Sequence, residues 1–266
     1  MWRIGYRRRG PARFQATNSR DEALSMRGDR IITGRGLHSG VVDHIGQQII
    51  DGVLAPDDVV PTDQLCDTFG VSRSVARDAL RMLTTLGLVE IRQRVGMRVL
   101  GREHWDVLHP LVVFWRGRGP DNLVQQRELL EARLGIESVA AFLSAERMPQ
   151  ETVDRLNELV EDMRDSLEAG DRYRHFHADA DFHSTVVEGA GNAVLTRFAK
   201  TIGAALDARG AMGGSVVEEV PVEAIDWHEA LARAITRRDA DDARHAARAI
   251  VMHTMKQLDA LEGRLT

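Results

Sequence analysis

The chain has 266 residues, 43% apolar and 28% charged, with a net charge of −5. That balance fits one large or two modest globular domains with buried cores. It excludes a uniformly basic coat, a disulfide framework (Cys66 is the single cysteine) and a helix of the about eighteen apolar residues needed to span a bilayer.

Residues 1–36 hold nine arginines against three acidic residues and lack helical or strand periodicity. They read as a disordered basic tail able to add salt-sensitive affinity for a polyanion. Met26 also offers a start nearer the folded region. The first residues are basic but lack the apolar centre of a secretory signal, so a cytoplasmic location is expected.

A helix is predicted from Leu37 to Gly52, with Val41, Ile45, Ile49 and Ile50 as its apolar stripe. Ala55 to Asp58 reads as a turn, and Val59-Val60-Pro61 as a short extended piece. Thr62 is the expected cap of a second helix that turns its Leu65, Cys66 and Phe69 inward. Gly70 makes a turn, Ser72 caps a third helix running to about Leu86, and Gly87 closes it. Arg73, Arg77 and Arg81 recur every four residues and share one face. Taken alone, such a helix is better explained by a solvated basic face; the flanking sequence reverses that. Leu88 to Leu100 alternates and pivots near Gly96, which predicts a β-hairpin with a basic tip of Arg92, Arg94 and Arg98. The whole reads as a winged helix–turn–helix over 37–103, a shape suited to the DNA major groove.

The run PTDQLCDTFGVSRSVARDALRMLTTLGLVEIRQRVGMRV resembles the GntR family of bacterial transcription regulators. The resemblance implies that Arg73, Ser74, Val75 and Arg77, with Arg81 on the same face, meet bases or phosphates. It also implies that the wing around Arg94, Val95 and Gly96 reaches the minor groove, the glycine allowing close approach. Thr62-Asp63-Gln64 is one residue shorter than the family's usual spacing and holds no arginine.

Residues 104–120 form a connector too aromatic for a flexible linker. Trp105, Leu108, Pro110, Val112 and Trp115 resemble the connector of FadR-subfamily regulators of sugar acids. From Asp121 onward no strand signal occurs, and helices are predicted at 121–147, 150–168, 171–188, 192–209, 221–238 and 239–263. The expected fold class is mainly α: a winged helix–turn–helix, then an all-α bundle over 121–266.

Three features in the bundle carry chemistry. Arg133 lies among apolar residues and needs an anion, either Glu137 at i+4 or a ligand carboxylate. Asp179 and His183 share a helix face, as a metal site or as a surface pair. His228 opens an amphipathic helix, where a satisfied core histidine is the ordinary reading.

In this order, Glu131/Arg133, Asp179/His183 with Gly191-Asn192, and His228 before Ala234-Ile235 resemble the FCD domain of FadR-type regulators. That implies a divalent metal (Zn, Ni or Mn) on Asp179, His183 and His228, with a carboxylate effector near Arg133 and Asn192. The fourth ligand position holds Ile250, and His253 three residues on is the substitute. The resemblance implies a homodimer on an inverted-repeat operator of double-stranded DNA, released by a small carboxylate such as a sugar acid. A metal-dependent hydrolase or an effector-free DNA binder are the alternatives.

Overall fold

The computed structural model describes residues 37–92, 95–211 and 223–265. The basic tail and Arg94 therefore lie outside the described residues. The chain divides into two compact units at Val107/Leu108.

In the first unit, α1 (Leu37–Ile50) buries Val41, Val42, Ile45, Ile49 and Ile50 and packs on α3. Short α2 (Thr62–Phe69) starts at Thr62 itself: Pro61 occupies the cap position and no side chain caps it. Gly70, at φ +60°, ends α2 in the left-handed conformation that glycine adopts without strain. Ser72 caps α3 (Arg73–Thr85) as predicted, its hydroxyl accepting from the Val75 N–H at 3.4 Å. Ala76, Ala79, Leu80 and Leu83 form the buried face of α3, each leucine contributing about 1.5–3 kcal/mol of burial.

The hairpin β2 (Val89–Arg92) and β3 (Gly96–Val99) gains a third strand. The piece at Val59–Val60, β1, pairs antiparallel with β3, giving the order β1-β3-β2. Trp105 donates to the Leu100 carbonyl and the Asp106 N–H to that of Leu86, so the chain stays tied to this unit through Asp106.

The second unit begins with a helix the sequence had suggested as connector. Helix α4 (Pro110–Arg118) buries Leu111, Val112, Val113 and Trp115 and packs on α8. Six further helices follow among the described residues: α5 (Asn122–Arg147), α6 (Gln150–Glu168), α7 (Arg172–Gly189), α8 (Ala193–Ala211), α9 (Glu223–Thr236) and α10 (Ala240–Leu265). The long pair α5 and α10 lie side by side, as do α7 and α8. Phe182 of α7 sits fully buried among Leu156 and Met163 of α6, Leu231 and Ile235 of α9, and Ile250 of α10. This core holds α7 and α9 beside α5.

Candidate functional site

On the first unit, Arg73, Ser74 and Arg77 are exposed along α3, Val75 is half-buried, and Arg81 is exposed one turn on. Their charges are not equivalent. Arg73 pairs with Asp63 of α2 at 3.0 Å, and Arg81 with Asp78 at 3.2 Å. Arg77 has no carboxylate partner among the described residues. The start of α2 thus places an acidic side chain beside the arginine face.

The wing differs from its expected form. Arg98 is not at the tip: it pairs with Glu90 opposite it on β2 at 2.7 Å and with Asp57 at 2.6 Å. Arg92 also holds Glu90, at 2.6 Å. Gly96 is buried, and a Cβ there would lie 2.2 Å from the Val60 carbonyl oxygen. Its φ of +120° also demands glycine. Within the fold, the neighbouring strand β1 imposes this requirement. Val95 and Ile91 are the exposed apolar residues of this hairpin.

In the second unit, α7 carries Asp179 and His183 one turn apart, and α9 brings His228 to them. All three are buried. Asp179 Oδ1 lies 3.1 Å from His228 Nε2 and 3.4 Å from His183 Nε2, and the two Nε2 atoms are 3.3 Å apart. Phe182 presses edge-on against both rings.

The proton inventory decides what this triangle is. His228 Nδ1 lies 2.6 Å from the Ala224 carbonyl oxygen, which can only accept, so Nδ1 carries the proton and Nε2 a lone pair. His183 Nδ1 lies 2.6 Å from Glu137 Oε2 on α5. That approach falls short of hydrogen-bond alignment but sets a carboxylate against the ring, which again favours the proton on Nδ1. Burial alone would raise the Glu137 carboxyl; Arg133 and His183 outweigh it and hold it at about 2. Burial would also raise Asp179, but its contacts to both histidines hold it well below the carboxylate range.

Three acceptors therefore converge on one point with no donor among them. A second proton on His183 is one remedy: burial opposes it, but Glu137 prevails and lifts the imidazole to about 9. A divalent cation is the other. Bonds of about 2.1 Å at angles between octahedral and tetrahedral put ligand atoms about 3.0–3.4 Å apart, and the three observed separations match. A two-imidazole, one-carboxylate set suits Zn, Ni or Mn and leaves coordination positions open. The residues fit the group.

The structure does not bring His253 to this set. Its ring lies on Trp227, centroids 3.8 Å apart, and Ile250 is core. Asn192 caps α8, its Oδ1 accepting from the Val194 and Leu195 N–H groups. Glu131 is exposed.

Arg133 is 5% exposed and its Nε contacts Glu137 Oε1. Its two terminal nitrogens have no protein partner among the described residues. They belong to a residue lining a small, partly open cleft between α4, α5, α8 and α10. Gln125 and Gln126 line it too, while none of Asp179, His183 and His228 does. Sequence reasoning had Glu137 as the partner of Arg133 but not its second contact, and no sequence signal marked Gln125.

Comparisons with known proteins followed the same division. Residues 37–99 match bacterial regulatory proteins of the gntR family, and residues 128–253 match the FCD domain. The galactonate operon transcriptional repressor of Escherichia coli K12 is 26% identical over 222 residues, covering 82% of this chain and 95% of that protein. The HTH-type transcriptional regulator Mce2R of Mycobacterium tuberculosis is 33% identical over 173 residues, 61% of this chain and 67% of that one. Lar of Listeria monocytogenes shares the fold at TM-score 0.58 and 20% identity, over 88% of this chain and 100% of that one.

Proposed function

Since the chain belongs to the GntR family of bacterial transcription regulators, with an FCD domain as its second unit, we propose a dimeric repressor released by a small carboxylate. Two copies read the half-sites of an inverted repeat about one DNA turn apart, each through α3. Arg77 carries the specific contact, with Arg73, Ser74, Val75 and Arg81 beside it and Arg94 and Val95 in the wing. The effector's carboxylate meets the free edge of Arg133 as a two-pronged pair. Asp179, His183 and His228 would hold a divalent metal, which would supply a fixed positive charge joining α7 to α9.

The observation that carries this reading is Arg133: a nearly buried guanidinium with two unpartnered nitrogens beside a cavity. Glu137 balances the charge of this guanidinium through Nε, and its remaining N–H groups are donors a ligand carboxylate can use. Glu137 takes only one edge of it and passes its other oxygen to His183, so anion and metal sites share a carboxylate. Ligand binding then shifts operator affinity only to the extent that the ligand prefers one arrangement of the dimer over the other.

The test is operator selection from random DNA with the full chain, then titration of the selected duplex with carboxylates. The galactonate repressor's name makes galactonate the first sugar acid to try. An inverted repeat whose complex dissociates with a carboxylate is expected. An operator affinity indifferent to every carboxylate would leave a constitutive DNA binder.

A further inference from the structure

The walls beside Arg133 say more about the ligand than its charge. Leu129 and Leu130 of α5, Ala205, Leu206 and Ala208 of α8, and Val113 of α4 give the cavity an apolar lining. The polar groups are few and partly spent. Gln125, 1% exposed, donates its Nε2 to the Val113 carbonyl at 2.9 Å, leaving its Oε1 as an acceptor. Thr254 donates its hydroxyl to the Ile250 carbonyl at 3.1 Å. Beyond the Arg133 nitrogens, a ligand finds, among the described residues, the Gln125 oxygen, the Gln126 amide and the Thr254 lone pairs. A sugar acid carries a hydroxyl on every carbon of its chain, and most of these would face leucine and alanine without partners.

We infer that this cavity selects a monocarboxylate with an apolar body, aliphatic or aromatic, over a polyhydroxylated acid. The inference rests on the reading that Arg133 receives the effector's carboxylate. The carboxylate sits on the Nη edge of Arg133 and the hydrocarbon lies between α5 and α8. A single donor on the ligand, such as a hydroxyl next to the carboxylate, is accommodated by Gln125 Oε1.

Hexanoate and galactonate share carbon count and charge and differ in their hydroxyls, so they isolate the question. Titration calorimetry of the full chain with each, and with phenylacetate as an aromatic probe, reads it directly. Hexanoate or phenylacetate should bind about a hundredfold tighter than galactonate, the discrimination expected of an apolar wall against added hydroxyls. Leu129→Gln, at a half-buried position that tolerates a polar side chain, should shrink that ratio at least about tenfold. Galactonate binding as tightly as hexanoate, or a ratio unmoved by Leu129→Gln, overturns the inference while the carboxylate site stands. No binding of any of the three overturns both. Binding that survives Arg133→Gln in a folded variant removes Arg133 as the clamp; if that variant does not fold, the ratio in wild type and Leu129→Gln still decides.

Discussion

Metal and proton compete for one nitrogen, and pH exposes the competition. In the metal-free protein His183 titrates at about 9, because Glu137 outweighs burial. At pH 7 a metal must therefore displace a proton held about two units more tightly than the solution supplies, which lowers its apparent affinity about a hundredfold. Affinity should rise about tenfold per unit from about pH 6.5 and level off near 9. Competition of Ni(II) or Zn(II) against a coloured indicator chelator across that range measures the slope, and calorimetry in buffers of different ionisation enthalpy counts the released proton. Affinity that stays flat between about pH 6.5 and 8.5 would refute the assignment of His183 as the titrating ligand. Stability of the metal-free protein runs the other way. The raised imidazole stabilises the fold fully below its ordinary pKa, and that contribution is lost as pH climbs through about 9. Its melting temperature should fall over the interval in which metal affinity rises. Glu137→Gln removes the carboxylate that lifts His183, so the plateau should begin at lower pH, with its limiting affinity about 10–100-fold weaker.

Other consequences are simpler to read. Arg77→Ala should cost about 1–3 kcal/mol of sequence discrimination per half-site and leave the melting temperature unchanged; retained discrimination on mutated operators would dismiss Arg77 as the base reader. Gly96→Ala meets both the Val60 carbonyl and a disallowed φ, so urea unfolding should show about 1–3 kcal/mol of destabilisation. Equal stability would mean that β1 does not pair so closely there. Arg133→Leu takes one of the two cations from the buried Glu137 carboxylate, leaving it His183, and should destabilise by about 3 kcal/mol. Adding Glu137→Leu should recover most of that loss, and a double variant as unstable as the single would deny the pair. Deleting residues 1–30 should flatten the salt dependence of DNA binding, and an identical slope would make the tail a spectator.

Elements with a strong period were legible in the sequence, and elements without one were not. The helices of the second unit were placed within a few residues because their apolar positions recur every three or four and glycine or proline marks their ends. Helix α4 was not found. Leu111, Val112, Val113, Trp115 and Arg116 are all buried, so nothing along it alternates, and a short helix buried all round has no pattern to detect. Gly96 was singled out for close approach to a groove, and the structure adds a second demand the sequence could not show, the Val60 carbonyl of β1, more than thirty positions earlier. Arg98 read as wing tip because alternation cannot show that register sets it opposite Glu90. The Asp179/His183 pair was visible as an i,i+4 spacing, but its meeting with His228 depends on the Phe182 core that packs α9 against α7.

Glu137 shows how a residue with one visible partner acquires a role that only three dimensions supply. Its two oxygens face two different cations, Arg133 on its own helix and His183 on α7. On the proposed reading, a carboxylate arriving at the outer edge of Arg133 competes with Glu137 for that guanidinium. The charge Glu137 withdraws from Arg133 becomes available to His183, and a more basic imidazole holds a metal more tightly. Above about pH 9, where no proton competes for His183, effector and metal should then strengthen each other's binding, by the same factor in both directions because the cycle closes. A coupling of about 1–3 kcal/mol is typical of linked sites. It requires no contact between the ligand and the metal, consistent with a cavity whose lining includes Arg133 but none of the three candidate metal ligands.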